Sequence, residues 1–474
     1  MDWNEVHNFD RNIGAYLPEF QEASGKEFNL GSTYRPHHNQ YSYRTVSIDM
    51  KYSPLRLTAL LTVAAVIAGI FPSGAAPLTT TAEISRIFAQ ISLSPYLADP
   101  SMILIDRGTG AVLFQKDEGS PRRPASILKI LSATTALEFL DPKKTYVTRL
   151  AMARAPGTII LQGELDPWMT GNYRSAKRDH RAWLPYLANK AISEFAARGE
   201  FPLKEITVKQ VGLYAGDISY LRGYFKKKGI AAKFSAIKVA QITAATELEI
   251  ARTTSPSLSE MVKFALTWSD NLLAERLVRA AARSIGFTND DIGVANAIKK
   301  MLTTLKINDA GLFVHDGSGL SKGDRVTVRL VADLLLKIRG NEKFAAVYEG
   351  LPISGISGTL EDRYIKTAPQ AVGLVRAKTG TLNGTISLAG YVESGSHEYV
   401  FVAIADRIRK GSLAADRARS TLDKLLGRIT APFTLIPQSF GTPIPSPVAS
   451  PETEVGVEMA GLTPEVRESA AAGG

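Results

Sequence analysis

Residues Pro124 to Leu140 read PASILKILSATTALEFL. Apolar residues recur there at helical spacing behind a proline, so the stretch is expected to be a helix with Ser126 at or near its amino terminus. Ser126 and Lys129 stand three residues apart on one face of that helix, which brings hydroxyl and amine within reach of each other. A serine hydroxyl is a weak nucleophile until a neighbour takes its proton. A lysine does this only when burial or nearby positive charge lowers its pKa. At a helix start, Ser126 would also aim a free backbone N–H at a carbonyl oxygen under attack. The SxxK pattern alone is weak, since Ser235-Ala236-Ile237-Lys238 fits it too. That copy follows FKKKGIAAK with no long apolar helix behind it, and it lies close ahead of the next motif, so it is read as incidental.

Two further tripeptides give the first motif its context. Ser269-Asp270-Asn271 is the single SxN of the chain, set in the amphipathic MVKFALTWSDNLLAERLV within a long helical pattern from Leu258 to Ser284. Lys378-Thr379-Gly380 is the single KTG, between the apolar GLVRA and TLNGTISLAGYV. The order SxxK, SDN, KTG, each on the kind of element the chemistry needs, favours function over coincidence.

Outward from these motifs, Met102 to Phe114 alternates around Gly108-Thr109-Gly110 as a β-hairpin. Val375–Ala377, Ile386–Val392 and Tyr399–Ala405 read as strands, while Val326–Leu336 and Leu413–Leu426 read as helices. The predicted fold class is α+β, an antiparallel sheet flanked by helices, formed by residues 77–144 and 239–430. Residues 145–238, with YVTRLAMA, GTIILQG and ITVKQVGLY, are expected to form an inserted β-rich domain. Leu57 to Phe71 is uncharged and apolar, with Lys51 and Arg56 ahead and Pro72-Ser73-Gly74-Ala75-Ala76 behind, the order of an export signal over 50–76. The expected location is therefore secreted or on the wall side of the cytoplasmic membrane. Contact with the membrane would be transient and through that segment, or lasting if the segment stays uncleaved. The polar residues 1–49 are expected to be poorly structured or to precede a true start at Met50. The Pro- and Ser-rich 431–474 is expected to be a disordered tail.

Composition excludes less. A length of 474 residues allows two or three domains, and 45% hydrophobic with 22% charged residues is ordinary for globular proteins. The absence of cysteine removes disulfides and thiolate metal sites. The six histidines show no metal-ligand spacing, so neither metal nor cofactor is expected. A formal charge of +10 suits an anionic partner. No helix-turn-helix, finger or RNA-binding signature accompanies it, and nucleic acid is not an expected partner.

The SxxK, SDN and KTG set is known from class A β-lactamases and penicillin-binding proteins. Around the motifs, PASILKI, LTWSDNLLAERLVR, HDGSGLS, LPISGISGTLEDR and KTGTLNGTISLAGYV resemble the serine D-Ala-D-Ala carboxypeptidase/endopeptidase family, the class C low-molecular-mass penicillin-binding proteins. The resemblance covers about Ser101 to Leu426 and is strongest from Ser255 onward. It implies a penicillin-binding, β-lactamase-like transpeptidase fold, peptidoglycan stem peptides as substrates and β-lactams as inhibitors. It also implies the roles: Ser126 as nucleophile, neutral Lys129 as base, Ser269 relaying a proton to the departing amine, and Asn271 holding Lys129 and the substrate amide. A fixed, cationic Lys378 would keep Lys129 neutral. Thr379, Gly380 and Thr381 would form the substrate-binding strand, the Ser126 and Thr381 N–H groups the oxyanion hole, and Arg363 an aid at the cleft or a surface ion pair. LQGELDPWM only loosely resembles a Gly-Asp-Pro segment of the family, and Asp166 is read as a turn residue. The stretch between Lys129 and Ser269 is short for a member with two full inserted domains. A class A β-lactamase would need an ExxLN segment after SDN, and none follows Asn271. An idle peptidoglycan-binding protein of the same fold would show broken motifs, whereas these are intact.

Overall fold

The computed structural model describes residues 80–200 and 202–430. The expectations for residues 1–49, for the signal segment and for the tail lie outside the described residues. The described chain begins with α1 (Thr81–Ser92), forms the hairpin β1 (Ser101–Asp106) and β2 (Val112–Lys116), and enters α2 (Leu128–Phe139). Next come β3 (Val147–Ala153), β4 (Thr158–Gln162), α3 (Tyr173–Asp179), α4 (Leu184–Ala197), β5 (Glu205–Val211), α5 (Ala215–Lys227), β6 (Ala231–Ala236), α6 (Val239–Ala245) and β7 (Thr246–Thr254). Helices α7 (Leu258–Thr267), α8 (Asn271–Ser284), α9 (Asp291–Thr304), α10 (Val328–Ile338) and α11 (Ala345–Glu349) follow. The chain closes with β8 (Val375–Leu382), β9 (Thr385–Ser394), β10 (His397–Ala405) and α12 (Ser412–Ile429).

The first sheet is antiparallel, in the order β2-β1-β10-β9-β8. Its strands alternate sides, and both sides are apolar because both are covered. Ile103, Ile105, Ala389, Val400 and Val402 face the core shared with α2 and α10. Met102, Leu104, Leu388, Phe401 and Ala403 face Ile84 and Phe88 of α1 and Leu422, Leu425 and Leu426 of α12. The α+β architecture expected from the sequence is the one observed. Strand β8 is an edge, and its middle carries the KTG motif.

A second sheet runs β6-β5-β4-β3-β7, parallel from β4 to β6 and antiparallel around β3. Strand β7 pairs with β3 from Thr246 to Thr254, so the sheet extends past residue 238, where the sequence reading had closed the insertion. The parallel pairs are joined through α4 and α5, as parallel strands require crossovers. The long helical pattern from Leu258 to Ser284 is also corrected: it is two helices, broken at Trp268-Ser269-Asp270. Helix α7 starts with a capping box of Ser257 and Glu260, and α8 is capped by Asp270, whose carboxylate accepts from Leu273 N at 2.8 Å. Helical periodicity survives such a break because the apolar faces of both halves meet the same core.

Candidate active site

The turn before α2 is tighter than the helix start expected at Ser126. Ala125–Ile127 is a single 3₁₀ turn, and the buried Ala125 sits at φ 49°, a left-handed conformation that non-glycine residues adopt at a cost of about 1–3 kcal/mol. Two glycines hold it in place. A Cβ on Gly319 would lie 2.0 Å from the Ala125 carbonyl oxygen, and one on Gly380 would meet Ser387 Oγ at 2.1 Å and Pro124 O at 2.9 Å. The KTG strand and the HDGSGLS loop thus close directly onto the nucleophile turn, and only glycine permits the approach.

One helical turn on, the Lys129 side chain is buried to 1% exposure. Its Nζ lies 3.0 Å from Ser126 Oγ, 2.6 Å from Asn271 Oδ1 and 2.6 Å from the Ser318 carbonyl oxygen. Burial pulls its pKa down to about 8, partly offset by Asp316, Asp270, Glu275 and Asp324. The Ser318 contact was not anticipated from the sequence. It is built by Asp316, whose carboxylate accepts from the backbone N–H groups of Ser318 (2.7 Å), Leu320 (3.3 Å) and Ser321 (2.6 Å), and by Ser132 Oγ donating to Gly317 O at 2.6 Å. An aspartate followed by Gly-Ser-Gly was the available signal for such a turn.

Ser269 sits at φ 58° in the break between α7 and α8, half-buried, two residues before Asn271 opens α8. Asp270 is fixed from the other side by Arg181, whose Nη1 is 2.6 Å from its Oδ2. Arg181 also stacks over Trp168 at 5.0 Å and donates to Trp168 O at 3.2 Å. The SDN motif is therefore anchored by residues of the 145–238 region. Asp166 accepts from Trp168 N at 2.8 Å, in keeping with a turn residue, but it is buried, which raises its pKa to about 7.

Lys378 is fully buried, and its Nζ donates to Thr379 O at 3.1 Å. Burial and the charge on Lys129 both push its pKa well below the usual lysine value. The sequence reading has Lys378 fixed and cationic; without substrate, burial and the Lys129 charge both act against that charge, whereas Lys129 has carboxylates behind it. Along β8, Lys378 and Gly380 lie opposite Ala389 and Ser387 of β9, while Ala377 N donates away from β9 to Pro352 O at 2.9 Å. By strand alternation the N–H groups of Thr379 and Thr381 point to the same open edge. The Thr379 hydroxyl is 2.7 Å from that of Thr359, and Arg419 of α12 reaches Thr381 Oγ1 at 3.4 Å. Arg363 stands apart. Its guanidinium is on the buried Asp423, with Nε 3.3 Å from Oδ2, so it is an internal ion pair rather than a cleft group. The second SxxK is dispersed: Ser235 is exposed on the edge strand β6, and the exposed Lys238 caps α6.

An antiparallel sheet flanked by helices, with a serine in a turn closed onto its KTG edge strand and a buried lysine on the helix that follows, defines the class of penicillin-binding serine peptidases. Comparison with known proteins agrees. The D-Ala-D-Ala carboxypeptidase 3 (S13) family matches residues 85–178 and 194–429. The carboxypeptidase DacB of Mycolicibacterium smegmatis is 28% identical over 366 residues, 66% of this chain and 78% of that protein. The crystal structure of penicillin binding protein 4 (dacB) from Haemophilus influenzae covers 73% of this chain and 98% of its own at TM-score 0.56 and 16% identity. A structure of that protein complexed with a β-lactam aligns at TM-score 0.53 and 17% identity, over 73% of this chain and 99% of its own. The chain belongs to the D-Ala-D-Ala carboxypeptidase 3 (S13) family and is a serine-type D-Ala-D-Ala carboxypeptidase.

Proposed function

We propose that Ser126 is the nucleophile and Lys129 its base, in a reaction that removes the terminal D-Ala from peptidoglycan stem peptides. The observation that carries this is the Lys129 ammonium, held between Ser126 Oγ, Asn271 Oδ1 and Ser318 O at 2.6–3.0 Å. Three partners, two of them carbonyl oxygens, suit a protonated lysine, so the base must first lose a proton. The substrate's C-terminal carboxylate supplies the means. Arriving at the open edge of β8 near Lys378, it favours charge on that lysine, and the like charge then drives the proton from Lys129.

With Lys129 neutral, Ser126 Oγ attacks the carbonyl carbon of the penultimate D-Ala and its proton passes to Lys129 Nζ. The N–H groups of Ser126 and Thr381 receive the oxyanion, a contribution of about 3 kcal/mol per donor. The C–N bond then breaks, the departing amine takes its proton through the Ser269 hydroxyl, and the acyl group remains on Ser126 as an ester. Water hydrolyses the ester, its proton returning through Lys129. A β-lactam presents the same carboxylate and a strained amide, and would stop at the ester stage. The β-lactam complex of the H. influenzae protein supports that extension.

Endopeptidase action on cross-links needs the same bond cleavage, and the open edge of β8 suits a longer leaving group. Among the described residues no helix is long and apolar enough to cross a membrane. The substrate places the reaction outside the cytoplasmic membrane, and the export-signal order around Leu57 to Phe71 supports delivery there.

The test is release of D-Ala from a D-Ala-D-Ala-terminated peptide, run beside cleavage of purified cross-linked muropeptides. Wild-type protein is expected to release D-Ala and the Ser126→Ala variant to lose both activities. D-Ala release surviving in Ser126→Ala would refute the assignment.

A further inference from the structure

Two arginines meet at α12, and they are bound very differently. Arg363 is committed: its Nε is 3.3 Å from Asp423 Oδ2, and its Nη2 reaches the Arg419 carbonyl oxygen at 3.5 Å. Asp423 is buried, so removing that arginine would strand a carboxylate in the interior. Arg419 is not committed in this way. Its Nη1 lies 2.5 Å from Asp416 Oδ1, one turn back on α12, and that carboxylate is 64% exposed. An exposed i,i+3 pair stabilises a helix only slightly, so it neither fixes the side chain nor explains it. The other terminal nitrogen, Nη2, lies 3.4 Å from Thr381 Oγ1, and the Arg419 side chain is 31% exposed.

Thr381 is itself exposed, on the stretch of β8 that the Pro352–Ser354 segment leaves uncovered. By strand alternation its N–H points to that open edge. Lys378 is fully buried, whereas the Arg419 side chain is partly exposed. A guanidinium offers paired donors that match a carboxylate, and a hydroxyl beside it adds a third.

We propose that Arg419 is a specificity-determining residue, whose guanidinium, beside the Thr381 hydroxyl, receives the C-terminal carboxylate of the substrate. This rests on the carboxypeptidase reading above. It accounts for the polar contact between α12 and the exposed end of the KTGT strand, and it moves the arginine of the cleft from Arg363 to a residue that sequence patterning had not marked. Arg419 selects for a free acid, while Lys378 acts beneath the strand on the proton of Lys129.

The test compares two acyl donors on the full protein. One is a D-Ala-D-Ala peptide with a free C-terminal carboxylate. The other is an N-acyl-D-alanyl thioester whose leaving thiol is uncharged and whose activated bond is cleaved without carboxylate binding. Arg419→Ala should raise KM for the peptide about tenfold to a hundredfold, the scale of a lost charged hydrogen bond, with a smaller change in kcat. Its loss on the thioester should be no more than about threefold. Arg419→Lys should recover part of the peptide KM, and added guanidinium ion should partly rescue Arg419→Ala on the peptide alone. Equal losses on both donors, or an unchanged peptide KM, would overturn the proposal by making Arg419 a structural tie or a bystander. Thioester turnover by a wild-type protein that releases no D-Ala from the peptide would overturn the carboxypeptidase reading itself.

Discussion

Two buried lysines share the chemistry at the scale of single residues, and their surroundings set them apart. Lys129 has four carboxylates acting to hold its proton, whereas Lys378 has only burial and the Lys129 charge, both opposing protonation. Because Lys129 accepts a proton only when neutral, and its pKa lies at about 8, acylation should be slow below that pH and rise through it. Steady-state rates on a D-Ala-D-Ala peptide between pH 6 and 9 check this. The kcat/KM profile, which reports the unliganded protein, should rise tenfold per unit and level off near pH 8. The kcat profile should level off at lower pH, because bound carboxylate favours the proton on Lys378. A kcat/KM independent of pH over that range would rule out Lys129 as the base. Lys129→Ala should slow acylation by about a hundredfold or more, the scale of a lost general base, which the rate of fluorescent-penicillin labelling measures.

The elements explain why three short motifs meet. The serine and lysine come from one helix, the SDN from a helix break, and the KTG from a sheet edge. The first and last were legible in sequence, since helical spacing behind Pro124 and alternation around Lys378 are local signals. The break at Ser269 was not legible, because the apolar rows of α7 and α8 continue across it and the left-handed Ser269 leaves no mark on composition. The extent of the second sheet was also hidden: β7 looks like any half-exposed segment until its partner β3, far away in the chain, is placed beside it. Arg181 and Arg419 were missed for the same reason, since long-range ion pairs carry no spacing. Arg181 gives the element-scale prediction. It links the insertion to Asp270, and Asp270 caps α8. Arg181→Ala leaves that carboxylate without its buried partner and should cost about 3 kcal/mol of stability, read as a lower denaturant midpoint. Acylation should slow too, because Ser269 and Asn271 flank the loosened residue.

The molecule as a whole brings a strained nucleophile turn, a buried base and an open strand edge together across a sheet that is packed on both faces. That packing holds Ala125 at positive φ and both lysines away from water. The 145–254 stretch adds a second sheet and, through Arg181, a brace for the SDN motif. The one claim on which the rest depends is that this assembly acylates Ser126 and leaves the other SxxK serine untouched. Intact-mass measurement of the full protein after exposure to penicillin, followed by peptide mapping, tests it most directly. The wild type should gain one acyl group, mapped to Ser126; Ser126→Ala should gain none, and Ser235→Ala should label like the wild type. An acyl group mapped to Ser235, or undiminished labelling of Ser126→Ala, would contradict the account.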